Sequence, residues 1–311
     1  MNIIRKLLFK AITLVAFMVL TACSSQTSLP AISEQASGAY QPGRVVWHDL
    51  LTEDAAVTKH FYSELFDWQF EPITVALGFG KSLNYSIISN KGVPIAGMVD
   101  ASQFDNSQNQ SQWVSIISTA DIEQSVSVLQ ASGGLLQGGP IDLGARGQLA
   151  VVADPQGALF ALLQTRDGDP AERAPRVGDF LWNELWTGNT GQAESFYQAL
   201  FNYQTANRAV SGGASYRYMS SKNDSGIDVP RMAIRSNPIT DLGPTWVSYV
   251  RVVSPQAIVD QVEALGGRVL LAPQVNDVGG TLAIISDPSG AGLVVQTWDG
   301  RQQPAKLEGE Q

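Results

Sequence analysis

This chain of 311 residues carries one long sequence pattern twice. Three parts of the pattern recur in the same order: 45–66 at 180–201, 113–115 at 246–248, and 154–157 at 287–290. The first part is shifted by 135 positions and the other two by 133, so the copies have nearly the same spacing. A period of this length is typical of duplicated domains, because the units of solenoid arrays span roughly 20–50 residues. The sequence therefore predicts two similar domains in tandem.

The chain begins with the layout of a secretory signal peptide. Three Lys or Arg residues precede an apolar run at 11–20, and this run is shorter than the roughly 20 residues that a membrane-spanning helix needs. Residues 1–22 are therefore predicted to be a signal peptide, which would direct the mature protein to the bacterial cell envelope.

The predicted signal ends at Cys23, the only cysteine of the chain. The preceding Leu20-Thr21-Ala22 resembles the lipobox of bacterial lipoproteins, in which the cysteine becomes the lipidated first residue of the mature chain. Ser24 resembles the outer-membrane sorting pattern. We expect a lipid anchor on Cys23 and membrane contact through this anchor alone; the alternative is a cysteine that packs as a small apolar residue.

Composition and charge exclude several classes of protein. A hydrophobic content of 44% and a charged content of 16% are typical of a folded, globular chain. The formal net charge is −9, and removal of the three basic residues of the predicted signal makes it −12. An acidic chain of this kind argues against a nucleic acid or an anionic membrane surface as a partner.

Local composition divides the mature chain into five segments. The polar stretch 23–42 predicts a flexible tether, and the proline-bounded stretch 166–177 predicts a linker between two domains. The domains are predicted at 43–165 and 178–298, with a polar tail at 299–311. Because the linker is short, we expect the two domains to pack on each other as an intramolecular pseudo-dimer.

Each domain shows the order strand, helix and three strands twice. In domain one the first strand is predicted at 44–51, followed by a helix capped by Asp54, and a second helix is predicted from Asp121 to about Ala131. Each domain therefore contains two βαβββ modules. The predicted fold class is α+β, with a curled mixed sheet around a groove and helices on its other face.

These patterns resemble the vicinal oxygen chelate superfamily, which includes glyoxalase I, bleomycin-resistance proteins and extradiol dioxygenases. The resemblance covers 43–298 and rests on three patterns that occur in both halves: Trp-x-Asp/Glu-Leu, Phe-Tyr-x-x-Leu-Phe, and Asp-Pro-x-Gly before the last strand. It implies a glyoxalase-like fold. It also implies, for an active member, a lyase, isomerase or dioxygenase that holds a divalent metal in its groove.

The metal-ligand positions implied by the resemblance hold unsuitable residues. Enzymes of the superfamily place His, Gln or Glu on the first, fourth, fifth and eighth strands. Here the fourth strand, Val93 to Val99, contains no ligand type, and the other positions fall on Trp47, Trp182, Ser115, Ser248, Ala161 and Val294. Indole, methyl and isopropyl groups cannot coordinate a divalent cation, and a serine hydroxyl alone is a poor ligand. We therefore expect no metal and no other cofactor.

His48 lies beside the first-strand ligand position. Alternation along the strand directs Trp47 and Asp49 to the groove and His48 to the helix side, where domain two has Asn183. His48 is therefore interpreted as a structural histidine, with a role as ligand or base as the alternative. His60 is interpreted as a surface or packing residue of the first helix.

The same alternation assigns aromatic and polar side chains to both grooves, which would give small-molecule pockets. The predicted ligand-binding residues are Trp47, Asp49, Trp113 and Ser115 in domain one, and Trp182, Glu184, Trp246, Ser248 and Gln296 in domain two. Asp49 and Glu184 are weak candidates for a general base, because partial burial raises the pKa of a carboxyl group. Simple filling of the core by these side chains is the alternative.

Three functions remain open on the sequence alone. The leading prediction is a lipid-anchored envelope protein whose metal-free domains bind a small apolar or aromatic molecule. The alternatives are a glyoxalase-type lyase, isomerase or dioxygenase, and a structural or partner-binding lipoprotein with filled grooves. Trp186 stands where domain one has Leu51, which predicts that the two grooves differ.

Overall fold

The computed structural model describes residues 28–78, 81–103, 111–209, 215–223, 226–239, 242–276 and 279–298. The predicted signal peptide, Cys23 and the predicted tail lie outside these ranges. Within the described ranges, the structure has no helix with the length and apolar character needed to span a bilayer.

Domain one consists of two βαβββ modules in one sheet. Its elements are β1 (Val45–Thr52), α1 (Ala55–Phe66), β2 (Trp68–Gly78), β3 (Lys81–Asn90), β4 (Val93–Asp100), β5 (Gln112–Ser118), α2 (Ile122–Ala131), β6 (Leu135–Asp142), β7 (Gly147–Ala153) and β8 (Leu159–Thr165). A short 3₁₀ turn, Gly144–Arg146, joins β6 to β7. The strand order is β2-β3-β4-β1-β5-β8-β7-β6.

Domain two repeats this arrangement. Its elements are β9 (Phe180–Thr187), α3 (Thr190–Phe201), β10 (Gln204–Ala209), β11 (Ser215–Lys222), β12 (Asp228–Ser236), β13 (Thr245–Arg251), α4 (Pro255–Val262), β14 (Arg268–Val275), β15 (Thr281–Ser286) and β16 (Gly292–Gln296). The strand order β10-β11-β12-β9-β13-β16-β15-β14 is that of domain one. The predicted α+β fold with two tandem domains is confirmed.

The helices begin where the sequence supplies a capping side chain. The Asp54 carboxylate accepts from the backbone N–H of Val57 at 3.1 Å, and in domain two the Asn189 side chain accepts from Gln192 N–H at 3.0 Å. These bonds satisfy backbone donors that the first turn of a helix leaves free. The same local chemistry therefore starts α1 and α3 at equivalent positions.

The helices lie between the two sheets. One buried cluster joins α1 to α4 and to β16, and a second joins α2 to α3. Each helical layer therefore combines one module from each domain, with Phe61 and Tyr62 of α1 packed beside Ile258 and Val262 of α4. The opposite face of each sheet curves around a groove. We call the groove of domain one cup one and that of domain two cup two.

The register between central strands defines which side chains face each cup. In domain one, β1 and β5 are antiparallel and pair His48 with Ser115 and Asp49 with Val114. Directly paired residues share a face of the sheet. Trp47 and Asp49 therefore face cup one, whereas His48 and Ser115 face domain two.

The segment before β1 packs on domain one. We call residues 28–35 the strap. Leu29 and Ile32 of the strap are buried in the same cluster as Trp47, and Leu29 N–H donates to the carbonyl of Leu143 at 2.9 Å. The sequence predicted a flexible tether at 23–42, but the structure docks residues 28–42 on the domain because these two isolated aliphatic side chains find apolar partners. The predicted flexible tether is therefore wrong for residues 28–42, and its remaining part, 23–27, lies outside the described residues.

Candidate functional site

Cup one is organised around a carboxylate that sits two residues after a tryptophan. The indole N–H of Trp47 donates to Asp49 Oδ1 at 3.0 Å, and the Tyr85 hydroxyl donates to the same oxygen at 2.6 Å. Arg146 Nη1 donates to the Tyr85 hydroxyl at 2.8 Å. Burial raises the pKa of Asp49, while the charge of Arg146 and the two hydrogen bonds oppose this effect. The cluster is therefore a connected polar network inside an apolar cup.

Cup one is closed by its own residues. The Arg146 side chain is 1% exposed, and its guanidinium lies 5.1 Å from the ring centre of Trp47 and 5.2 Å from that of Tyr85. Leu29 and Ile32 of the strap cover the same space. Cup one therefore presents a filled interior beneath a covering segment.

Cup two uses the same pattern with different partners. Its carboxylate, Glu184, accepts at Oε1 from the Tyr216 hydroxyl at 2.6 Å. It accepts at Oε2 from the Tyr249 hydroxyl at 2.6 Å and from the indole N–H of Trp186 at 2.8 Å. Arg235 Nη1 lies 3.6 Å from the same Oε2. Because both oxygens are held by these donors, Glu184 serves here to orient three aromatic side chains.

Trp182 completes this aromatic wall. Its indole N–H donates to the Tyr216 hydroxyl at 2.8 Å, so the network fixes the plane of the ring. Trp182 and Tyr216 are half-buried, whereas the equivalent Trp47 and Tyr85 of cup one are 2% exposed each. Trp182 therefore presents part of an aromatic face to solvent in a fixed orientation.

Cup two opens into a cleft of about 1180 Å³ that also borders domain one and the linker. Its wall in domain two includes Trp182, Tyr216, Tyr249, Gln296 and Trp298. The Arg251 guanidinium lies 4.9 Å from the ring centre of Trp298. The structure therefore brings together the predicted residues Trp182, Glu184 and Gln296 at one accessible site.

The residues at the superfamily's metal-ligand positions do not fit a divalent metal. Trp47 and Ala161 occupy the first and eighth strands of cup one, and Trp182 and Val294 occupy those of cup two. Each cup contributes one carboxylate from its first strand, already held by indole and phenol donors. Within the described ranges, no three His, Cys, Asp or Glu residues are placed to hold an ion together. The donor set is therefore unlike a transition-metal site.

Four predicted ligand-binding residues face away from the cups. Trp113, Ser115, Trp246 and Ser248 lie on the side of β5 and β13 that contacts the helices and the other domain. The assignment of these residues to the grooves was wrong because β5 pairs Trp113 with Leu50, whose face is the helical one. The positions of β5 and β13 that face the cups hold Val114 and Val247, together with Ile116 and Tyr249.

The displaced tryptophans connect the repeated patterns within each domain, and a tyrosine extends one of these connections to the other domain. Trp113 donates to the Tyr62 hydroxyl at 3.0 Å, and Trp246 donates to the Tyr197 hydroxyl at 3.0 Å. The Tyr197 hydroxyl then donates to Asp154 Oδ2 in domain one at 3.4 Å. The Trp, Phe-Tyr and Asp-Pro-x-Gly patterns are therefore parts of the contact between domains.

His48 lies at the centre of this contact. Its Nε2 is 2.9 Å from Asn183 Oδ1, and the same oxygen accepts from Ser115 and Ser248 at 3.4 and 3.3 Å. The ring of Phe180 stacks on the imidazole with 3.7 Å between centres. Burial lowers the pKa of His48 to about 4, although the bond to Asn183 opposes this. This geometry is that of a structural, neutral histidine.

Several residues of the two networks were not singled out from the sequence. Tyr85 on β3 and Tyr216 on β11 occupy equivalent places. Tyr85 is paired with Val99 of β4, and Tyr216 lies on the strand next to β12, which carries Arg235. A tyrosine repeated at matching positions was a usable signal. Arg146, in contrast, lies in a 3₁₀ turn, and the residue 133 positions later is Gly279, so the sequence repeat gave no signal for the arginine.

Comparison with known proteins identifies relatives over most of the chain. No family model matches it. A protein named "Putative glyoxylase CFP32" from Mycobacterium tuberculosis is 27% identical over 252 residues, which are 81% of this chain and 94% of the relative. The anthracycline biosynthesis protein DauV of a Streptomyces species is 28% identical over 277 residues, which are 82% of this chain and 94% of the relative.

Solved structures share the fold at low sequence identity. The Mn(II)-bound glyoxalase from Novosphingobium aromaticivorans matches with a TM-score of 0.54 and 13% identity, over 83% of each chain. A variant of homoprotocatechuate 2,3-dioxygenase from B. fuscum matches with a TM-score of 0.57 and 13% identity, over 90% of this chain and 77% of that one. These matches show a two-domain glyoxalase-like fold, and together with the relative named as a glyoxylase they support the resemblance to the vicinal oxygen chelate superfamily.

Proposed function

We propose that this protein binds a small planar, apolar or aromatic molecule in cup two. The observation that carries the proposal is the half-buried Trp182 ring, held in place through Tyr216 and Glu184 at an open cleft. A rigid aromatic surface loses little conformational freedom when a flat ligand stacks on it. The position of Trp298 in the same cleft supplies a second ring for such a ligand.

The size and lining of the cleft support this proposal. Small-molecule sites have volumes of roughly 300–1,000 Å³ and apolar walls with few polar groups. The cleft of about 1180 Å³ is slightly larger and includes domain one and linker residues. Gln296, which is 5% exposed, offers an amide at its wall for orienting a polar substituent.

The names of relatives suggest which ligands to test first. Two Streptomyces relatives are named as anthracycline biosynthesis proteins. Anthracyclines contain fused planar rings, which can stack on an indole. The first panel should therefore contain fused-ring quinones, simple phenols and naphthalenes, and aliphatic molecules of similar volume as controls.

The test is a titration of the purified chain with each compound by isothermal calorimetry. We expect saturable binding of a planar compound, about tenfold weaker binding in Trp182→Ala, and near-normal binding in Trp182→Phe, because phenylalanine retains a stacking surface. Leu135→Ala, at an exposed residue of domain one, is the matched control with unchanged affinity. The proposal fails if no compound binds, or if Trp182→Ala binds as tightly as the original chain.

We also propose that the protein is anchored to the cell envelope by a lipid on Cys23. The support is the apolar run at 11–20 followed by a lipobox-like sequence. Cys23→Ala should move the full-length protein from the membrane fraction to the soluble fraction, while Ser24→Ala should leave it membrane-bound. Retention of the Cys23→Ala protein in membranes would contradict the proposal.

A further inference from the structure

The strap lies in cup one in the manner of a bound peptide. Its backbone donates from Leu29 N to the Leu143 carbonyl at 2.9 Å and accepts at the Pro30 carbonyl from Arg146 Nε at 3.1 Å. The side chains of Leu29 and Ile32 are 6% and 5% exposed. Main-chain hydrogen bonds combined with pockets for selected side chains are the general means by which proteins hold extended peptides.

Only one side of the strap packs against cup one. Ser28, Pro30 and Ala31 are exposed, in contrast to Leu29 and Ile32. The segment therefore adds two aliphatic side chains to cup one and is solvated along the rest of its length. Such a segment can leave without removing any of the strands that form the cup.

Arg146 supplies a second, independent observation. Its side chain is 1% exposed, and within the described residues Nη2 is buried without a hydrogen-bond partner. Nε and Nη2 lie on the same edge of the guanidinium, and the strap supplies one carbonyl to this edge. Buried donors are normally satisfied, so the free Nη2 marks capacity for a further acceptor in the cup.

We propose that cup one is a peptide-binding site that the strap occupies in cis. The site takes an extended segment with two aliphatic side chains three residues apart and a backbone carbonyl between them that accepts from Arg146. The strap closes the site as an internal ligand. Because a covalently attached segment acts at high effective concentration, a separate peptide competes poorly while the strap is docked.

The test uses the full chain with Leu29→Asp and Ile32→Asp, because two carboxylates disfavour docking of the strap in an apolar cup. The probe is a fluorescent peptide with the sequence Ser-Leu-Pro-Ala-Ile-Ser, identical to 28–33. We expect one peptide to bind per chain, at least about 100-fold more tightly than to the original chain. Ala31→Asp, on the exposed side of the strap, is the matched control and should bind as poorly as the original chain.

A second peptide tests whether cup one recognises the two aliphatic side chains. Ser-Ser-Pro-Ala-Ser-Ser lacks both aliphatic side chains and should not bind the double variant. Equal binding of the two peptides would overturn the proposal, as would a folded double variant that binds neither.

Folding is measured in parallel by circular dichroism, with Leu29→Ala and Ile32→Ala combined as a milder variant. If neither double variant folds, the strap is an integral part of the core and the proposal is wrong. Because Ile32 also borders the cleft of cup two, binding of planar molecules is measured on Leu29→Asp alone. This binding should not change, which separates this proposal from the proposed function.

Discussion

Cup one and cup two begin from the same sequence pattern and end with different contents. In both, a tryptophan precedes a carboxylate by two positions, and a tyrosine from the neighbouring hairpin donates to that carboxylate at 2.6 Å. In cup one the tyrosine hydroxyl also accepts from the buried Arg146. In cup two the carboxylate pairs with Arg235, whose side chain is 38% exposed.

This difference shows where a duplicated fold is free to diverge. The bond from Trp113 to Tyr62 in domain one and the bond from Trp246 to Tyr197 in domain two lie at the contact between the domains and keep the same geometry in both copies. The contents of the cups are not constrained by that contact. One cup therefore contains a covering segment and an internal cation, while the other opens to a cleft.

The largest expected difference between the cups concerns one methyl group. A Cβ at Gly97 would lie 1.6 Å from the Tyr85 hydroxyl oxygen and 2.4 Å from Asp49 Oδ1, whereas the equivalent residue of domain two is Ala233. Gly97→Ala should therefore lower the free energy of unfolding by about 5 kcal/mol or prevent folding. Ala233→Gly should cost about 1 kcal/mol. Denaturant unfolding of both variants tests this, and similar effects would contradict it.

Replacing the arginines should show the next largest difference. Arg146→Met leaves Asp49 in cup one without its nearby positive charge, and loss of one member of a buried charge pair costs about 4 kcal/mol. Arg235→Met removes a more exposed partner and should cost less than about 1 kcal/mol. Chemical unfolding at two salt concentrations measures both. Equal losses of stability in the two variants would mean that burial of the arginine does not determine the cost of removing it.

Position 48 and its equivalent, 183, should give the domains different responses to acid. The pKa of His48 is about 4 in the folded chain and 6.5 in its unperturbed form. The unfolded state therefore binds more protons between these values, and the stabilisation present above pH 6.5 is lost as the pH falls through 4. His48→Gln should remove about 3 kcal/mol of this acid sensitivity between pH 7 and pH 4.

The control for the acid response is His60→Gln, because His60 is exposed on α1. This variant should unfold with the pH dependence of the original chain. Stability measurements at pH 4, 5, 6 and 7 compare the three proteins. If His48→Gln keeps the full acid sensitivity, the buried imidazole is not its source.

The two Asp-Pro-x-Gly turns should show the smallest difference. Burial raises the pKa of Asp287 from 3.8 to about 6. The protonated carboxyl group therefore stabilises the folded state at low pH, and this stabilisation is lost as the pH rises through 6. Asp287→Asn keeps the side-chain oxygen that accepts from Ala291 N–H and should raise stability by about 2 kcal/mol at pH 7 but not at pH 4.

Asp154→Asn is the matched change in domain one. Burial also raises the pKa of Asp154, and hydrogen bonds from three backbone N–H groups and the Tyr197 hydroxyl oppose this rise. The gain from Asp154→Asn should therefore be smaller. Thermal unfolding at the two pH values measures the stability gained by each variant. A larger gain for Asp154→Asn than for Asp287→Asn would contradict the prediction.

Local chemistry made much of the fold predictable. The duplicated patterns gave the two domains, and the capping side chains Asp54 and Asp121 marked the starts of α1 and α2. Alternation also placed Trp47 and Asp49 on the cup side of β1. These features depend on short-range geometry, which the sequence records directly.

The face of β5 could not be predicted in the same way. Six of its seven residues, all but Gln112, are buried, because one face contacts the cup and the other contacts domain two. A strand that is buried on both faces has no polar side to identify its orientation. Only the pairing of Trp113 with Leu50 resolves it.

The closure of cup one was also beyond local inference. Leu29 and Ile32 stand alone in a polar stretch, and an arginine such as Arg146 in a turn is usually exposed. Their burial depends on contacts between residues more than 100 positions apart, such as Arg146 with Pro30. The open state of cup two likewise follows from tertiary structure.

The docking of the strap has a consequence for a chain attached to a bilayer. Only four residues lie between Cys23 and Ser28, and the five residue steps of an extended chain span at most about 18 Å. A lipid on Cys23 would therefore be a short attachment that keeps the opening of cup one near the lipid headgroups. Release of Leu29 from cup one would therefore lengthen the attachment and uncover part of the cup at the same time.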